Sequence, residues 1–218
     1  MLKVIRAGMY TSVQDAGRDG LRQSGVSRCG AMDKPALITA NLLVGNDANA
    51  AALEITLGAA TFQFARDGWF ALTGAGCEAT LDGAAVWSGW RHWATAGQTL
   101  MLGRPQHGIR SYLALAGGID VPMVLGSRST DLNAGVGGLE GRCLRDGDVL
   151  PLATQQRTFR APRGVKPLLA SNRIRALPGP EYHEFDDVSQ EAFWRSPWQL
   201  SPQSNRKIGR ASGRERVL

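Results

Sequence analysis

Hydrophobic and polar residues alternate in short runs from residue 52 to about residue 152, and glycines separate most of these runs. Alternation over about four to eight residues is typical of a β-strand with one buried face. Asp82-Gly83 predicts a tight hairpin, and Pro105 to Gly108 predicts a longer hairpin loop. The pattern therefore predicts a mainly antiparallel β barrel or sandwich, with strands at 2–6, 53–57, 61–65, 69–73, 77–81, 84–87, 98–102 and 109–115.

One early segment has the period of a helix instead. Asp33 stands at the N-cap position, Pro35 lies in the first turn, and an apolar stripe ends at Gly45. These signals predict a helix from about residue 34 to residue 44. Capping is a sufficient role for Asp33 and is more strongly indicated than catalysis, although the free N–H groups of a helix N-terminus can also hold an anionic group.

Two glycine-punctuated polar loops interrupt the strand pattern, one at 11–33 and one at 116–142. The second loop contains the polar sequence Ser-Arg-Ser-Thr-Asp at 127–131. Glycine permits sharp turns and close approach of the backbone to a ligand, so each loop is interpreted either as the floor of a site or as a string of tight turns. Both interpretations stay open at this point.

The 218 residues can bury one substantial core and part of another. Residues 1–155 are interpreted as one β-rich domain, followed by a polar and basic linker. Residues 156–206 are interpreted as the start of a second β region that is incomplete, with strands at 165–170 and 172–177 and a short helix at 189–194.

The last twelve residues, 207–218, have no apolar period and are interpreted as a tail foreign to the natural protein. We expect the natural gene to continue past residue 206 with a different sequence. The tail contains half of the net charge of +6, and the remaining charge is scattered. The composition therefore gives no argument for a nucleic-acid partner.

Several classes of site and location are not supported by the sequence. No apolar run approaches the roughly 20 residues of a membrane span, and the N-terminus lacks the apolar core of a signal peptide, so we expect a cytoplasmic protein. The three cysteines are widely spaced and no histidines cluster near them, so no metal site is predicted. The sequence contains no P-loop, dinucleotide fingerprint, zinc-protease motif or nucleophile elbow.

Seven short motifs occur in a fixed order, and together they are more specific than any one alone. They are Q-D-x-G-R-x-G at 14–20, G-V-x-x-x-G-A-M-D at 25–33, L-E-x-T-x-G at 53–58, T-G-A at 73–75, Y-L-A-x-A-G-G-I-D-V-P at 112–122, L-G-S-R-S-T-D at 125–131 and G-R-x-L-x-x-G-D at 141–148. On these motifs the chain resembles the family of 5-oxoprolinase C subunits, also called the biotin-dependent carboxyltransferase or allophanate hydrolase subunit 2 family, which includes the Kip antagonist.

The resemblance implies a cyclophilin-like antiparallel β barrel and an enzyme that acts only with partner chains. These partners would be the 5-oxoprolinase B subunit, which is Kip-inhibitor-like, and the 5-oxoprolinase A subunit. The implied reaction converts 5-oxo-L-proline, ATP and water to L-glutamate, ADP and phosphate, with ATP and magnesium as cofactors. One alternative is a carboxyltransferase that moves CO2 from biotin to urea. Another is a regulator without chemistry that binds a Kip-inhibitor-like partner through an apolar face near Trp87 to Trp93.

Activation of an amide by ATP needs hydrogen-bond donors for the developing negative charge, and a carboxylate for a metal or a proton. We therefore expect the two polar loops to meet at a common cleft that a second polypeptide closes. Arg18 has an equally weighted alternative as the structural ion-pair partner of Asp15 or Asp33. The candidate catalytic residues are Arg18, Asp15, Arg128 and Asp33, and the candidate substrate-binding residues are Gln14, Ser127, Ser129, Thr130 and Glu54.

Overall fold

A computed structural model describes residues 1–155, 157–166, 175–200 and 211–212. The chain divides into two compact units, Met1–Leu168 and Leu169–Leu218. The domain boundary that we placed after residue 155 stays a prediction. The expected strands at 165–170 and 172–177 lie mostly outside the described residues, as does most of the expected foreign tail.

The described part of the first unit is built on one antiparallel sheet of ten strands. An α-helix of this unit, α1 at Lys34–Leu43, agrees with the predicted helix to within one residue. The strands are β1 Leu2–Arg6, β2 Tyr10–Gln14, β3 Ala52–Thr56, β4 Thr61–Phe64, β5 Gly68–Leu81, β6 Ala84–Val86, β7 Trp90–Ala94, β8 Thr99–Leu115, β9 Val149–Leu150 and β10 Arg163–Gly164.

Strand β8 organises this sheet because it is long enough to pair with three other strands. One edge of β8 pairs with β5, and the other edge pairs first with β4 and then with β3. Strands β1 and β9 extend the β4 side, and β2 extends the β3 side. The mainly antiparallel β class is confirmed. Within the described residues the sheet is open rather than closed into a barrel, because its pairing path ends at the two-residue strands β9 and β10.

The predicted hairpin loop at Pro105 to Gly108 is wrong, and the strands predicted on either side of it are one strand. Pro105 is paired with Cys77 of β5, and the ladder passes this region through irregularities near Gly74 and Gly76. Bulges let a strand continue past residues that would otherwise end it. The hairpin at Asp82-Gly83 does form, and it joins β5 to β6.

The two faces of the sheet contribute side chains to two different hydrophobic clusters. One face contributes Leu53, Ile55, Leu113 and other large side chains to the main core. The other face presents alanines at 52, 71 and 114, against which Leu37 of α1 packs in a second cluster. Since side chains alternate along a strand, the face that carries small residues leaves room for the helix. Helix α1 therefore lies on this second face.

Three tryptophans lie on or near β7 and do not form a single stripe. Trp87, Trp90 and Trp93 are all exposed in part. Trp90 and Trp93 are three residues apart on one strand, and such residues point to opposite faces. Trp93 meets Trp69 edge-on, with ring centroids 5.3 Å apart. Packing accounts for this ring contact.

The second unit contains a short 3-10 helix at Pro180–Glu184 and helix α2 at Asp187–Arg195, where a short helix was predicted. Asp186 caps α2, because its carboxylate accepts a hydrogen bond of 2.6 Å from Ser189 N. Two short strands, β11 Gln199–Leu200 and β12 Ala211–Ser212, pair with each other. Neither α1 nor α2 nor the shorter helical turns of the described residues have the length and apolarity needed to cross a membrane.

A bidentate ion pair stabilises the turn at 142–148, which is bonded to the N-terminal strand β1. Arg142 Nη1 and Nη2 donate to the two carboxylate oxygens of Asp148 at 2.7 and 3.0 Å. The backbone of this turn bonds to β1, since Val4 N donates to Asp148 O at 2.8 Å and Gly147 N donates to Val4 O at 2.7 Å. Hydrogen bonds from Arg142 lower the pKa of Asp148.

This ion pair predicts a defined pH dependence of stability. A carboxyl group whose pKa is lowered by folding stabilises the protein above its unfolded pKa of about 3.9, and this contribution is lost as the pH falls through the folded pKa. We expect Asp148→Asn to lower the free energy of unfolding by roughly 1 to 3 kcal/mol at neutral pH. The difference from the wild type should vanish in acid. Urea denaturation between neutral pH and about pH 3 measures it, with the exposed Asp47→Asn as control; a difference independent of pH contradicts the assignment.

Candidate functional site

The two polar loops meet at the carboxylate of Asp15, which directly follows β2. Its Oδ1 accepts hydrogen bonds from Ser127 Oγ at 2.6 Å, Ser129 Oγ at 2.5 Å and Gly17 N at 2.8 Å. Its Oδ2 accepts one from Arg128 N at 2.6 Å. The Asp15 side chain is 4% exposed. One buried carboxylate therefore joins loops that lie more than a hundred residues apart in the sequence, as the expected meeting of the loops requires.

Backbone and hydroxyl hydrogen bonds reinforce the junction. Thr130 donates to Val13 O from both its N and its Oγ1, each at 3.0 Å. Gln14 Nε2 donates to Thr130 O at 3.3 Å, and Asp15 N donates to Ser129 Oγ at 2.9 Å. These bonds hold the second loop against the end of β2. The hydroxyl groups that we expected to bind substrate are buried and engaged within the junction; they belong to Ser127, Ser129 and Thr130.

Arg18 lies in the same junction but has no carboxylate partner among the described residues. Its Nε donates to Val124 O at 3.1 Å and its Nη2 donates to Ser129 O at 2.7 Å. Its Nη1 is buried and has no hydrogen-bond partner there, and the residue is 2% exposed. The alternative of an ion pair with Asp15 or Asp33 is therefore not realised. A buried guanidinium with one unused donor is the feature of this junction most suited to a ligand.

Arg128 binds the same loop from a more exposed position. Its Nε donates to Val121 O at 2.8 Å, and its Nη2 lies 3.5 Å from an Asp120 carboxylate oxygen. The Arg128 side chain is 33% exposed. The guanidinium groups of Arg18 and Arg128 thus contact carbonyl groups three residues apart, at Val124 and Val121. Both guanidinium groups therefore contact the backbone of the second loop, although only Arg18 is buried.

A glycine pair covers Arg18 from the second loop. Gly137 has φ of 72°, and a Cβ atom there would collide with Ser129 O and with the Arg18 guanidinium. Gly138 has φ of 55° and lies against the Thr130 side chain in the same way. Only glycine permits this close approach with this backbone conformation. The glycines of this loop therefore shape the wall around Arg18.

A second polar cluster lies on the sheet beside the loop junction. Glu54, on β3, is 0% exposed, and its Oε2 accepts hydrogen bonds from Tyr112 OH at 2.7 Å and Met32 N at 2.9 Å. Tyr112 OH in turn accepts one from Asp33 N at 2.8 Å. The Asp33 carboxylate is exposed and caps α1 by accepting from Ala36 N at 3.0 Å. The expected capping role is confirmed.

Burial of the Tyr112 ring, together with the negative charge of Glu54, raises the pKa of the Tyr112 hydroxyl. The hydroxyl is therefore protonated at neutral pH and donates to Glu54. The cluster ties the turn before α1 to the sheet. Sequence reasoning did not single out Tyr112, even though it opens the motif Y-L-A-x-A-G-G.

The two clusters are neighbours through Ser12. Ser12 is paired directly with Glu54 across β2 and β3, and Ser12 Oγ accepts a hydrogen bond from Gln14 Nε2 at 3.0 Å. Gln14 belongs to the loop junction, so one buried polar network runs from the junction onto the sheet. Among the described residues no three His, Cys, Asp or Glu side chains group closely enough to hold a metal ion.

The chain is similar in sequence to proteins of one known family. Residues 24–218 match the family described as carboxyltransferase domain, subdomain A and B. The chain is 70% identical over 213 residues to the 5-oxoprolinase C subunit of Escherichia coli strain K12, a match that covers 98% of this chain and 69% of the relative. It is 43% identical to the 5-oxoprolinase C subunit of Haemophilus influenzae, with the same coverage.

A similar fold occurs in a solved structure of the Kluyveromyces lactis urea amidolyase. The TM-score is 0.87 at 33% identity, and the match covers 97% of this chain and 14% of that much longer chain. At this similarity the whole fold of the present chain is shared with one part of that protein.

The Asp15 junction predicts a large loss of stability on a small chemical change. Asp15→Asn keeps the shape of the side chain but removes its charge. It also replaces one acceptor oxygen by an NH2 group, which donates where four donors already converge. We expect the free energy of unfolding to fall by roughly 2 to 4 kcal/mol in urea denaturation.

Asp19→Asn is the matched control, because Asp19 lies in the same loop and forms an exposed ion pair with Arg28. Exposed pairs contribute at most about 1 kcal/mol. Equal losses for the two variants would show that Asp15 does not hold the loops together.

Proposed function

Because the chain belongs to the carboxyltransferase domain family, subdomains A and B, we propose on this premise that it works as the C-type subunit of a 5-oxoprolinase. The observation that carries the proposal is the high identity to the Escherichia coli protein over nearly the whole chain. The proposed reaction opens 5-oxo-L-proline to L-glutamate, with hydrolysis of ATP to ADP and phosphate. The protein would act in a complex with two other chains, the Kip-inhibitor-like B subunit and the A subunit.

The opening of a lactam needs a fixed donor for the charge that develops on the amide oxygen. Arg18 suits this role because its guanidinium is held by two carbonyl groups and the Nη1 amino group makes no hydrogen bond within the described residues. Asp15 would act by positioning, since its carboxylate already accepts four hydrogen bonds that hold the loop in place. Catalytic participation of Asp15, Arg128 and Asp33 stays a prediction.

ATP hydrolysis supplies the free energy for opening the lactam. The sequence has no P-loop, and in the described part no three His, Cys, Asp or Glu side chains group closely enough to hold a metal ion. We propose that ATP and magnesium are bound mainly by residues of the partner chains. The contribution of this chain is then to bind and orient the lactam.

The similarity to urea amidolyase supports a second candidate, transfer of a carboxyl group from biotin to urea. The chain is less similar in sequence to the urea amidolyase than to the 5-oxoprolinase C subunit, so this candidate function is the weaker of the two. Co-expression with the two partner chains, followed by an assay of ATP-dependent glutamate release from 5-oxo-L-proline, tests the proposal. We expect release only when all three chains are present. Carboxylation of urea with a biotinylated carrier, or no turnover in either assay, would contradict it.

Arg18→Lys tests the assigned donor within this assay. Lysine keeps the charge but cannot bind two carbonyl groups and still direct a third N–H group at the substrate. We expect kcat to fall by roughly 100-fold, as for removal of one donor to a developing oxyanion. Arg28→Lys, in the exposed ion pair with Asp19, is the control and should leave kcat unchanged. Near-normal turnover of Arg18→Lys, even with a lowered melting temperature, would assign Arg18 a structural role only.

A further inference from the structure

Most of the buried side-chain polar atoms that lack a hydrogen bond within the described residues lie on one face of the sheet, two of them on directly paired residues. Besides Arg18 Nη1, these atoms are Gln14 Oε1, Thr56 Oγ1 and Arg110 Nε. The three residues belong to the neighbouring strands β2, β3 and β8. Unsatisfied buried groups are rare in folded proteins, and several together mark a place where another molecule completes the hydrogen bonds.

The strand register puts these residues on the same face as Glu54. Thr56 is paired directly with Arg110 on one side and with Tyr10 on the other. Directly paired residues share a face of the sheet, as do residues two apart on one strand. Two adjacent polar rows therefore cross the strands, and we call them the polar face: Tyr10, Thr56 and Arg110 form one row, and Ser12, Glu54 and Tyr112 form the other.

Glu54 orients the Arg110 guanidinium without accepting a hydrogen bond from its Nε–H group. Arg110 Nε lies 3.4 Å from Glu54 Oε1, within ion-pair distance but outside hydrogen-bond geometry. The Arg110 side chain is 28% exposed, whereas that of Glu54 is 0% exposed. Glu54 itself is held by Tyr112 and Met32 through its other oxygen. The result is an anchored arginine whose Nε–H group makes no hydrogen bond within the described residues.

The guanidinium group of Arg110 favours a ligand with a carboxylate, because the planar fork of an arginine matches the two oxygens of a carboxylate. The Arg110 side chain is 28% exposed, so a ligand can reach it from solvent.

We propose that the polar face binds a small molecule that carries a carboxylate. The Arg110 fork binds the carboxylate, and Thr56 Oγ1 gives a further hydrogen bond. If the proposed function holds, this ligand is the lactam substrate, which carries a carboxylate on its ring. Arg110 and Thr56 then belong to the substrate site, and the buried Glu54 and Tyr112 position Arg110.

Arg110→Gln in the assembled three-chain enzyme tests the site. Loss of charge-assisted hydrogen bonds to the carboxylate should raise the KM for 5-oxo-L-proline by roughly 10- to 100-fold. The KM for ATP should not change. Arg110→Lys should give a smaller increase, and Thr56→Val a rise of a few-fold. Arg6→Gln, which removes an exposed arginine from β1, is the control and should leave both constants unchanged.

If Arg110 were only the structural counterion of Glu54, a different result is expected. Arg110→Gln would then lower the melting temperature of the complex without altering which ligands bind. Binding to the complex is therefore compared for 5-oxo-L-proline and for 2-pyrrolidinone, which lacks the carboxylate. The wild type should bind the carboxylate form at least about tenfold more tightly, and Arg110→Gln should lose this preference. An unchanged preference in Arg110→Gln overturns the proposal.

The two proposals fail in different ways. If the wild-type complex releases glutamate but KM and ligand preference are insensitive to Arg110→Gln and Thr56→Val, the proposed function stands and the site is wrong. If no glutamate is released, the proposed function falls, and binding of L-glutamate and L-proline to the complex decides the site. If the wild-type complex binds these ligands and Arg110→Gln abolishes the binding, the site is upheld. If neither ligand binds, or if Arg110→Gln does not affect binding, the site is overturned. Should Arg110→Gln not fold, Arg110→Lys and Thr56→Val give the same comparison.

Discussion

The buried carboxylate of Asp15 is the constraint on which the rest of this structure depends. It accepts hydrogen bonds from residues that lie 112 to 114 positions away along the chain, as well as from its own loop. A carboxylate removed from water is stable only when donors replace its hydration, and here four donors do so. The position of Arg18, the cover by Gly137 and the attachment of the second loop to β2 all follow from this convergence.

The sheet supplies what the loops cannot, a rigid support with a polar face. Strand β8 pairs with β3 next to the loop junction, and this pairing brings Tyr112 beside Glu54. The apolar residues of the same strands point into the main core and fix the register. The loop junction and the polar face therefore form one connected polar network, supported by packing on the other side of the sheet.

Local patterns in the sequence predicted many of the elements, although not β2 or β7. Helix α1, its cap by Asp33 and the mainly antiparallel β class were all accessible, because periodicity and capping depend on near neighbours. The motif L-E-x-T also placed Glu54 and Thr56 two residues apart on a strand, and hence on one face. Reading proline and glycine as breaks failed at Pro105, because whether such a residue ends a strand or forms a bulge depends on the strand beside it.

The partners of the site residues could not be predicted in the same way. Nothing near Arg18 in the sequence indicates that its guanidinium contacts carbonyl groups at Val124 and Ser129, because these contacts arise only when distant segments pack together. The same holds for Arg110 and Glu54, whose proximity depends on the register of β3 and β8. Residue type was a poor guide to what each of these side chains binds.

The irregular ladder between β5 and β8 has a consequence for how this fold can vary. Pairing is regular from Leu81 with Leu100 at one end and from Phe70 with Leu115 at the other, and it is interrupted between them. The two ends therefore keep separate alignments, so a gain or loss of residues between positions 103 and 109 is absorbed locally instead of sliding Tyr112 past Glu54. Natural variation in length, or an inserted tag, is best tolerated in that middle segment of the long strand.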